Sequence, residues 1–230
     1  MNYRFFLLLT AMVTMGFSCI NATQKPVITN GESMKAEIEI KFFIEKSKLE
    51  QRLLKLNATL ATPRRLMRRQ MFAVPASLRK PNMEQSGRVR DEGDKITMTL
   101  KESAIPRTMS SVQELEIIVN DFDAAVKILL LSGYEPTTYQ ENYRTSWKLD
   151  DCSIEIDEWP GLPCYAEIEA PSTTQLKQMA AVLEIDEATF MYCSVFDLYQ
   201  QKLGLDLKLI RKAPKLTFAT IDQIKIAYKK

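Results

Sequence analysis

The stretch Glu37-Ile38-Glu39-Ile40-Lys41 alternates charged and apolar side chains with a period of two residues. Successive side chains of a β-strand point to opposite sides, so the three ions would share one face and the two isoleucines the other. Carboxylates bind Mg²⁺ or Mn²⁺ and lysine binds phosphate oxygens, so this face suits a phosphate and metal site. A half-buried strand with a solvated face has the same pattern, and the rest of the chain must decide between the two interpretations.

The same alternation recurs in later segments, each of which has a polar or ionic side and an apolar side. The polar sides comprise Arg88 and Arg90; Thr97, Thr99 and Lys101; Glu114 and Glu116; Glu155 and Asp157; and Glu167 and Glu169. The apolar sides need cover, which amphipathic helices can supply. The strands near 114 and 167 carry only acids on this side and those near 88 and 97 only bases, whereas solvated faces usually mix the two signs. The pattern leaves two architectures open: an open sheet with its ionic side in water, or a closed barrel around a hydrated tunnel.

Hydrophobic periodicity and turn signals divide most of the chain into two similar halves. The first half is predicted to contain a strand at 36–43, a helix at 47–56, an extended segment at 64–74, a loop at 75–85 and a hairpin of strands 87–90 and 95–101. The second half repeats this order, with a strand at 114–117, a helix at 122–131, an extended segment at 139–148 and a hairpin of strands 153–157 and 164–169. Eight strands with helices outside predict an α+β fold whose antiparallel sheet can close into a barrel.

The rest of the chain, from 173 onward, is predicted to be mainly helical. Apolar residues spaced by three and four indicate helices at 173–183 and 187–202, and a short strand is expected at 215–220. No linker divides this part from the strands before it. Residues 36–230 are therefore expected to form a single domain.

Composition excludes several kinds of chemistry. The chain contains no histidine, which excludes catalytic triads built on histidine, histidine-ligated zinc and histidine as general base. It has seven glycines and neither a phosphate-binding P-loop nor a dinucleotide-binding fingerprint. The net charge of +2 does not indicate nucleic-acid binding. Any reaction must depend on Glu, Asp, Lys, Arg and Tyr.

The N-terminus has the three-part pattern of a secretory signal peptide. A positive charge within the first four residues precedes the apolar run 5–17, and small or polar residues follow as far as Ala22. We therefore expect a signal peptide at 1–22, a linker at 23–35 and an exported protein with no membrane span in the mature chain. Gly16-Phe17-Ser18-Cys19 resembles a lipoprotein box only loosely, so lipid anchoring at Cys19 is an alternative, and an uncleaved anchor is another.

Taken together, these motifs resemble the CYTH group, the triphosphate tunnel metalloenzymes, over roughly 36–203. This group includes class IV adenylate cyclases, thiamine triphosphatases and inorganic tripolyphosphatases. The resemblance rests on the order of the motifs: Glu37, Glu39 and Lys41; Arg88 and Arg90; Thr99 and Lys101; Glu114 and Glu116; Arg144; Asp157; and Glu167 and Glu169. It implies an eight-stranded antiparallel barrel that binds a triphosphate and Mg²⁺ or Mn²⁺.

The resemblance also implies a role for each matching residue. The residues implied to hold phosphate are Lys41, Arg88, Arg90, Lys101 and Arg144. The residues implied to hold metal are Glu37, Glu39, Glu116, Asp157, Glu167 and Glu169, with Glu114 in support. Lys41, Arg88 and Lys101 are the catalytic candidates, and a desolvated lysine with a lowered pKa could serve as base without histidine.

Two positions depart from the family pattern. Phe72 is followed by Ala73, where the family often has an acid, and Asn142 stands where a basic residue is common. The first hypothesis is a metal-dependent triphosphatase acting on a small-molecule triphosphate, as a monomer or homodimer. An adenylate cyclase is the alternative, favoured by the likeness of 88–101 and 156–169 to cyclase members but disfavoured by export away from ATP. A triphosphate- or polyphosphate-binding protein with weak or no catalysis is the third hypothesis.

Overall fold

The computed structural model describes residues 34–229. The predicted signal peptide at 1–22 lies outside the described residues, as does the predicted linker except for its last two positions. No helix in 34–229 combines the length and the apolar character needed to cross a bilayer.

Ten strands form one sheet. Their bounds are β1 Lys35–Glu37, β2 Glu39–Phe43, β3 Thr59–Ala73, β4 Met83–Asp91, β5 Ile96–Ala104, β6 Val112–Val119, β7 Glu135–Leu149, β8 Cys152–Glu158, β9 Tyr165–Glu169 and β10 Lys215–Leu216. The helices are α1 Lys46–Lys55, α2 Phe122–Leu131, α3 Thr173–Val182, α4 Val195–Leu203, α5 Leu207–Ile210 and α6 Ile221–Ala227.

The first extended segment closes the sheet into a barrel. Strands are neighbours in the order β1-β6-β5-β4-β3-β7-β8-β9-β2, and each neighbouring pair is antiparallel. β1 and β2 are separated only by Ile38, so one segment pairs with β6 through its first half and with β9 through its second. The predicted eight-stranded antiparallel barrel is confirmed, with the predicted strand 36–43 divided into β1 and β2.

The predicted repeat of two halves is also present. Each half runs from a strand through a helix to a strand of fifteen residues and then a hairpin. The two long strands, β3 and β7, pair with each other and join the halves.

The apolar faces of the strands lie outside the barrel and are covered by helices. Ile40, Ile168 and Ile154 lie opposite one another on β2, β9 and β8, and all three are fully buried. They pack in one core cluster with Leu53 of α1 and Leu176 of α3. Because the apolar residues of each strand pack against the helices outside the barrel, the charged residues that alternate with them point into the lumen.

The predicted helix 187–202 is correct from Val195 onward and wrong before it. Glu187–Thr189 is a single 3-10 turn, and α4 begins only at Val195. Between them Met191 exchanges two backbone hydrogen bonds with Lys41, of 2.8 and 3.2 Å, and these need an extended chain. Ser194 and Asp197 then form a capping box that starts the new helix.

The long strands extend beyond their predicted bounds. β3 begins at Thr59 and so includes Pro63, a residue that usually lies outside strands. The pairing of β3 with β7 shifts register between Thr62 and Arg65, on either side of this proline. The predicted loop 75–85 contains a 3-10 turn at Ala76–Leu78 and the start of β4. The predicted strand 215–220 is reduced to Lys215–Leu216, which pairs in parallel with β7.

Candidate active site

The polar faces of the strands enclose a cavity of about 750 Å³. Every predicted site residue lines it except Asp157: Glu37, Glu39, Lys41, Arg88, Arg90, Lys101, Arg144, Glu116, Glu167 and Glu169. Glu114, predicted in support, also lines the cavity. The period-two alternation therefore brings together predicted residues from seven strands, β1, β2, β4, β5, β6, β7 and β9, most of which are far apart in the sequence.

The register of β2 and β9 places the Lys41 ammonium group between two carboxylates. Lys41 lies opposite Glu167 on β9, and its Nζ is 3.3 Å from Glu167 Oε1 and 2.6 Å from Glu39 Oε1. Burial alone would lower the pKa of Lys41, but these acids outweigh burial and raise it above its ordinary value. Lys41 is therefore a fixed cation in this structure.

Lys101 has the same character among other acids. Its Nζ is 2.6 Å from Glu37 and 3.0 Å from Glu114. Burial lowers its pKa, Glu37 raises it, and the net shift is upward. The expectation that a lysine with a lowered pKa acts as general base is therefore contradicted for the two catalytic candidates, Lys41 and Lys101.

Four carboxylates form what we term the acidic cluster: Glu37, Glu39, Glu114 and Glu169. Burial and then the charges of the other three raise the pKa of Glu169 to about 7. The carboxylates therefore carry more negative charge than the neighbouring lysines compensate.

Four guanidinium groups form what we term the arginine cluster: Arg69, Arg88, Arg90 and Arg144. Arg69 lies directly opposite Arg90 across β3 and β4, an unfavourable position for like charges. Burial and then the charges of Arg90 and Arg88 hold the pKa of Arg69 well below its ordinary value. Burial and Arg88 lower the pKa of Arg90 to about 10. The excess positive charge here is suited to an anion.

The arginine cluster also has unused hydrogen-bond donors. The Nε atoms of Arg69, Arg88 and Arg90 are buried and have no partner among the described residues. Buried donors in folded proteins are normally satisfied, and a phosphate chain offers several acceptor oxygens. These three donors thus point to a ligand in the lumen.

Three predicted metal ligands lie outside the acidic cluster: Glu116, Asp157 and Glu167, the last of which pairs with Lys41 and Arg144. Glu116 accepts hydrogen bonds from Arg88, at 3.1 Å, and from Thr99, at 2.7 Å, so it lies beside the arginine cluster. Asp157 is fully buried and does not line the cavity. The six predicted metal ligands therefore do not form one group.

Asp157 orients the arginine cluster from behind. It accepts a hydrogen bond from Arg144 Nε at 2.8 Å and one from Asn142 Nδ2 at 2.7 Å. Asn142 in turn accepts a hydrogen bond from Arg69. Burial opposes the charge of Arg144, but Asp157 and Glu167 more than offset it, so the pKa of Arg144 is raised well above its ordinary value. We interpret Asp157 and Asn142 as positioning residues.

The acidic cluster fits a hard divalent cation by donor type and by charge. Its ligands are carboxylate oxygens, which Mg²⁺ and Mn²⁺ prefer, and such a cation would offset the burial and the neighbouring carboxylate charges that raise the pKa of Glu169. Within 34–229 no three acid, thiol or imidazole side chains already converge as a complete metal site.

Arg69 is the main functional residue that sequence reasoning missed. By its charges, the run Arg64-Arg65 and Arg68-Arg69 is typical of a solvated strand or loop, although Arg69 corresponds by position to Arg144 in the repeat. Alternation places Arg65 and Arg69 in the lumen, while Arg68 binds Asp91 outside it. Arg65 contacts Glu92 Oε2 at 3.3 Å and Ser146 Oγ at 3.1 Å. The repeat was the signal that could have identified Arg69.

Comparison with known proteins agrees with this architecture. The CYTH domain family model matches residues 35–190. No curated protein matches the sequence closely enough to be reported as similar.

Solved structures share the fold at low sequence identity. A conserved hypothetical protein of Pyrococcus furiosus is 22% identical, with a TM-score of 0.59 over 71% of this chain and 99% of its own. The PH1012 protein of Pyrococcus horikoshii OT3 is 20% identical, with a TM-score of 0.60 over 70% of this chain and 98% of its own. A proposed adenylate cyclase of Vibrio parahaemolyticus is 14% identical, with a TM-score of 0.62 over 73% of this chain and 99% of its own.

Proposed function

Because this chain belongs to the CYTH domain family, we propose that its lumen binds a linear triphosphate and hydrolyses it with the help of a divalent metal ion. The observation that carries the proposal is the arginine cluster, whose buried Nε donors have no partner among the described residues. A triphosphate supplies acceptor oxygens for these donors, and its negative charge offsets the mutual repulsion of the guanidinium groups.

In this proposal the arginine cluster binds phosphate, the two lysines stabilise charge, and the acidic cluster binds the metal ion. Arg69, Arg88, Arg90 and Arg144 bind the phosphate oxygens, and the positioning residues behind them limit their movement. Lys41 and Lys101 stay protonated and stabilise negative charge that develops on the phosphoryl group.

The acidic cluster would hold Mg²⁺ or Mn²⁺ through Glu37, Glu39 and Glu169, with Glu114 in support. Such an ion, when bound, neutralises phosphate charge and favours deprotonation of water. Glu167 contacts two cations, Lys41 and Arg144, whereas Glu37 and Glu39 each contact one lysine, so the proposal assigns Glu167 to orienting cations.

A substrate panel tests the proposed activity. Tripolyphosphate, thiamine triphosphate and ATP are each incubated with the full chain and Mg²⁺ or Mn²⁺, and the products are identified. We expect orthophosphate from at least one of the three, and less of it from the Arg69→Gln variant. The matched control is Arg68→Gln, because Arg68 lies next in sequence but pairs with Asp91 outside the lumen. No phosphate release with either metal would contradict the proposal.

An adenylate cyclase is the second candidate. It is supported by the likeness of the hairpin segments 88–101 and 156–169 to cyclase members of the family. Cyclic AMP and pyrophosphate from ATP would establish it, whereas ADP and orthophosphate would support the triphosphatase.

A binding protein without catalysis is the third candidate, supported by Ala73 and Asn142. Ala73 lines the lumen at the position where the family often has an acid. The side chain of Asn142 is hydrogen-bonded to Arg69 and Asp157. Calorimetry with tripolyphosphate on the wild type and Glu39→Gln tests this. Binding by both proteins with turnover by neither would favour it, and turnover by the wild type would exclude it.

We further propose that the protein is exported, with cleavage after Ala22, because the segment before it has the pattern of a signal peptide. Mass spectrometry of the protein from separated cell fractions gives the mature N-terminus. An intact Met1 on protein in the cytoplasmic fraction would contradict export, and a lipid on Cys19 would show anchoring instead.

A further inference from the structure

Residues 191–229 follow the segment matched by the family model and pack against one end of the barrel. Met191 pairs with Lys41 of β2, and β10 pairs with β7. Tyr199 donates a hydrogen bond of 2.7 Å to the carbonyl oxygen of Pro160. This C-terminal segment also contributes 193–196 and Arg211 to the lining of the lumen.

A second cavity of about 590 Å³ lies against the same end. Glu84, Arg107 and Arg211 line both cavities. We term these three residues the partition, because they line the lumen and the second cavity alike.

Ion pairs hold the partition together. Glu84 Oε2 accepts a hydrogen bond of 2.8 Å from Arg107 Nη2, and its Oε1 accepts one of 2.6 Å from Arg211 Nη1. The Arg211 guanidinium also lies 5.6 Å from the ring centroid of Phe196 in α4. Glu84 is thus bound from two sides, by an arginine of the barrel and by one of the C-terminal segment.

At the opposite end the lumen is lined by residues of the β4–β5 turn and of the strand ends that meet there, and Asp94, Lys95 and Lys148 among them are exposed. A ligand can therefore enter from this side.

We propose that the partition closes the lumen at the C-terminal segment, so that a phosphate chain enters from one mouth only and must lead with an unesterified terminal phosphate. The proposal rests on the proposed function for the identity of the ligand. It makes Glu84, Arg107 and Arg211 specificity-determining residues, since a chain longer than the lumen must leave its excess at the open mouth.

Cys193 provides a reporter for closure. Its side chain lines the lumen, and the preceding residue, Tyr192, lines the second cavity. In the full chain, the rate at which iodoacetamide labels Cys193 at alkaline pH is measured by peptide mass mapping, with and without tripolyphosphate. Cys193→Ser confirms the assignment of the labelled peptide.

In the wild type, tripolyphosphate at about ten times its dissociation constant should slow labelling about tenfold, because only the free fraction leaves the lumen open. In Arg211→Ala and in Glu84→Gln, the reagent should reach Cys193 through the second cavity, and protection should fall to less than about twofold. Glu84→Gln preserves side-chain volume, so it serves if Arg211→Ala fails to fold. The control is Arg52→Ala, whose arginine binds Val182 and Glu184 away from both cavities.

Full protection in both partition variants would overturn closure while leaving the proposed function intact. Equal labelling of the wild type with and without tripolyphosphate, together with no heat of binding in calorimetry, would overturn the proposed function and the closure proposal with it.

Discussion

The guanidinium groups in the lumen lie close enough to disfavour one another's charge. Arg69 shows the effect most strongly, because it is buried, lies opposite Arg90 and is repelled by Arg88 and Arg144. Such an arrangement costs stability in the absence of a ligand and is maintained at sites that bind anions.

Replacing Arg69 should therefore change stability and binding in opposite directions. We expect Arg69→Gln to raise the melting temperature of the ligand-free protein, because the repulsion is removed. We expect it to weaken tripolyphosphate binding by about 1.5–3 kcal/mol, the usual contribution of a charged hydrogen bond. Thermal unfolding and calorimetry measure the two effects. Arg68→Gln should leave affinity unchanged; a lower melting temperature for Arg69→Gln would contradict the account.

Glu167 and Glu169, two residues apart on β9, should respond oppositely to pH. Burial opposes the charge of Glu167, but Lys41 and Arg144 lower its pKa overall, whereas burial and neighbouring acids raise the pKa of Glu169 to about 7. A lowered carboxyl pKa stabilises the fold above the ordinary value of 4.5, and this stability is lost as the pH falls. A raised one destabilises the fold progressively as the pH rises from 4.5 towards 7.

Without metal, at a pH above 7, Glu167→Gln should accordingly lower the melting temperature and Glu169→Gln should raise it. Below pH 4.5 the Glu169→Gln difference should disappear, since the carboxyl is protonated in the folded and unfolded states alike. Thermal unfolding in a chelator at the two pH values tests this. Shifts in the same direction above pH 7 would refute the assignment of the two environments.

Elements beyond the repeat decide how the lumen ends. α4 begins at the capping box of Ser194 and Asp197, directly after the extended residues that pair with β2. Sequence periodicity predicted one continuous helix here, because it measures apolar spacing and not the hydrogen bonds that a distant strand offers. The helix start is therefore determined by tertiary pairing together with a local cap.

Removing that cap should have an effect beyond helix stability. We expect Ser194→Ala to lower the free energy of unfolding by about 1 kcal/mol, as for other N-caps. Ser172→Ala, at the N-cap of α3, should cost a similar amount. Only Ser194→Ala should also speed iodoacetamide labelling of Cys193, because Ser194 lines the lumen and Ser172 does not. Equal labelling of the two variants would show that α4 does not control access.

At the scale of the whole molecule, the barrel separates two environments by the alternation of its strands. Ile40, Ile154 and Ile168 form a continuous fully buried row outside the barrel. This row spans β2, β8 and β9, where the first segment completes the barrel. Its packing should therefore hold β2 against β9 as well as stabilise the fold.

A single core truncation tests that dependence. Ile168→Ala should lower the free energy of unfolding by about 2–5 kcal/mol through the lost burial and the cavity that remains. Ile117→Ala, on β6, removes the same atoms from a side chain that is 48% exposed and should cost about 0.5 kcal/mol or less. Denaturant unfolding measures both. A comparable loss in the two variants would argue against the core described here.

The sequence alone determined the strands, the repeat and which charged residues share a face, because side-chain alternation is a local property of a strand. It left an open sheet and a closed barrel as alternatives, and closure depends on the pairing of the first segment with both β6 and β9. It did not determine the separation of the acidic cluster from the arginine cluster, since that depends on which strands become neighbours. The membership of Arg69, the supporting position of Asp157 and the raised pKa values of Lys41 and Lys101 follow from burial and from charges on other strands. Closure by the C-terminal segment likewise depends on contacts between residues far apart in the chain, such as Glu84 and Arg211, which no local pattern encodes.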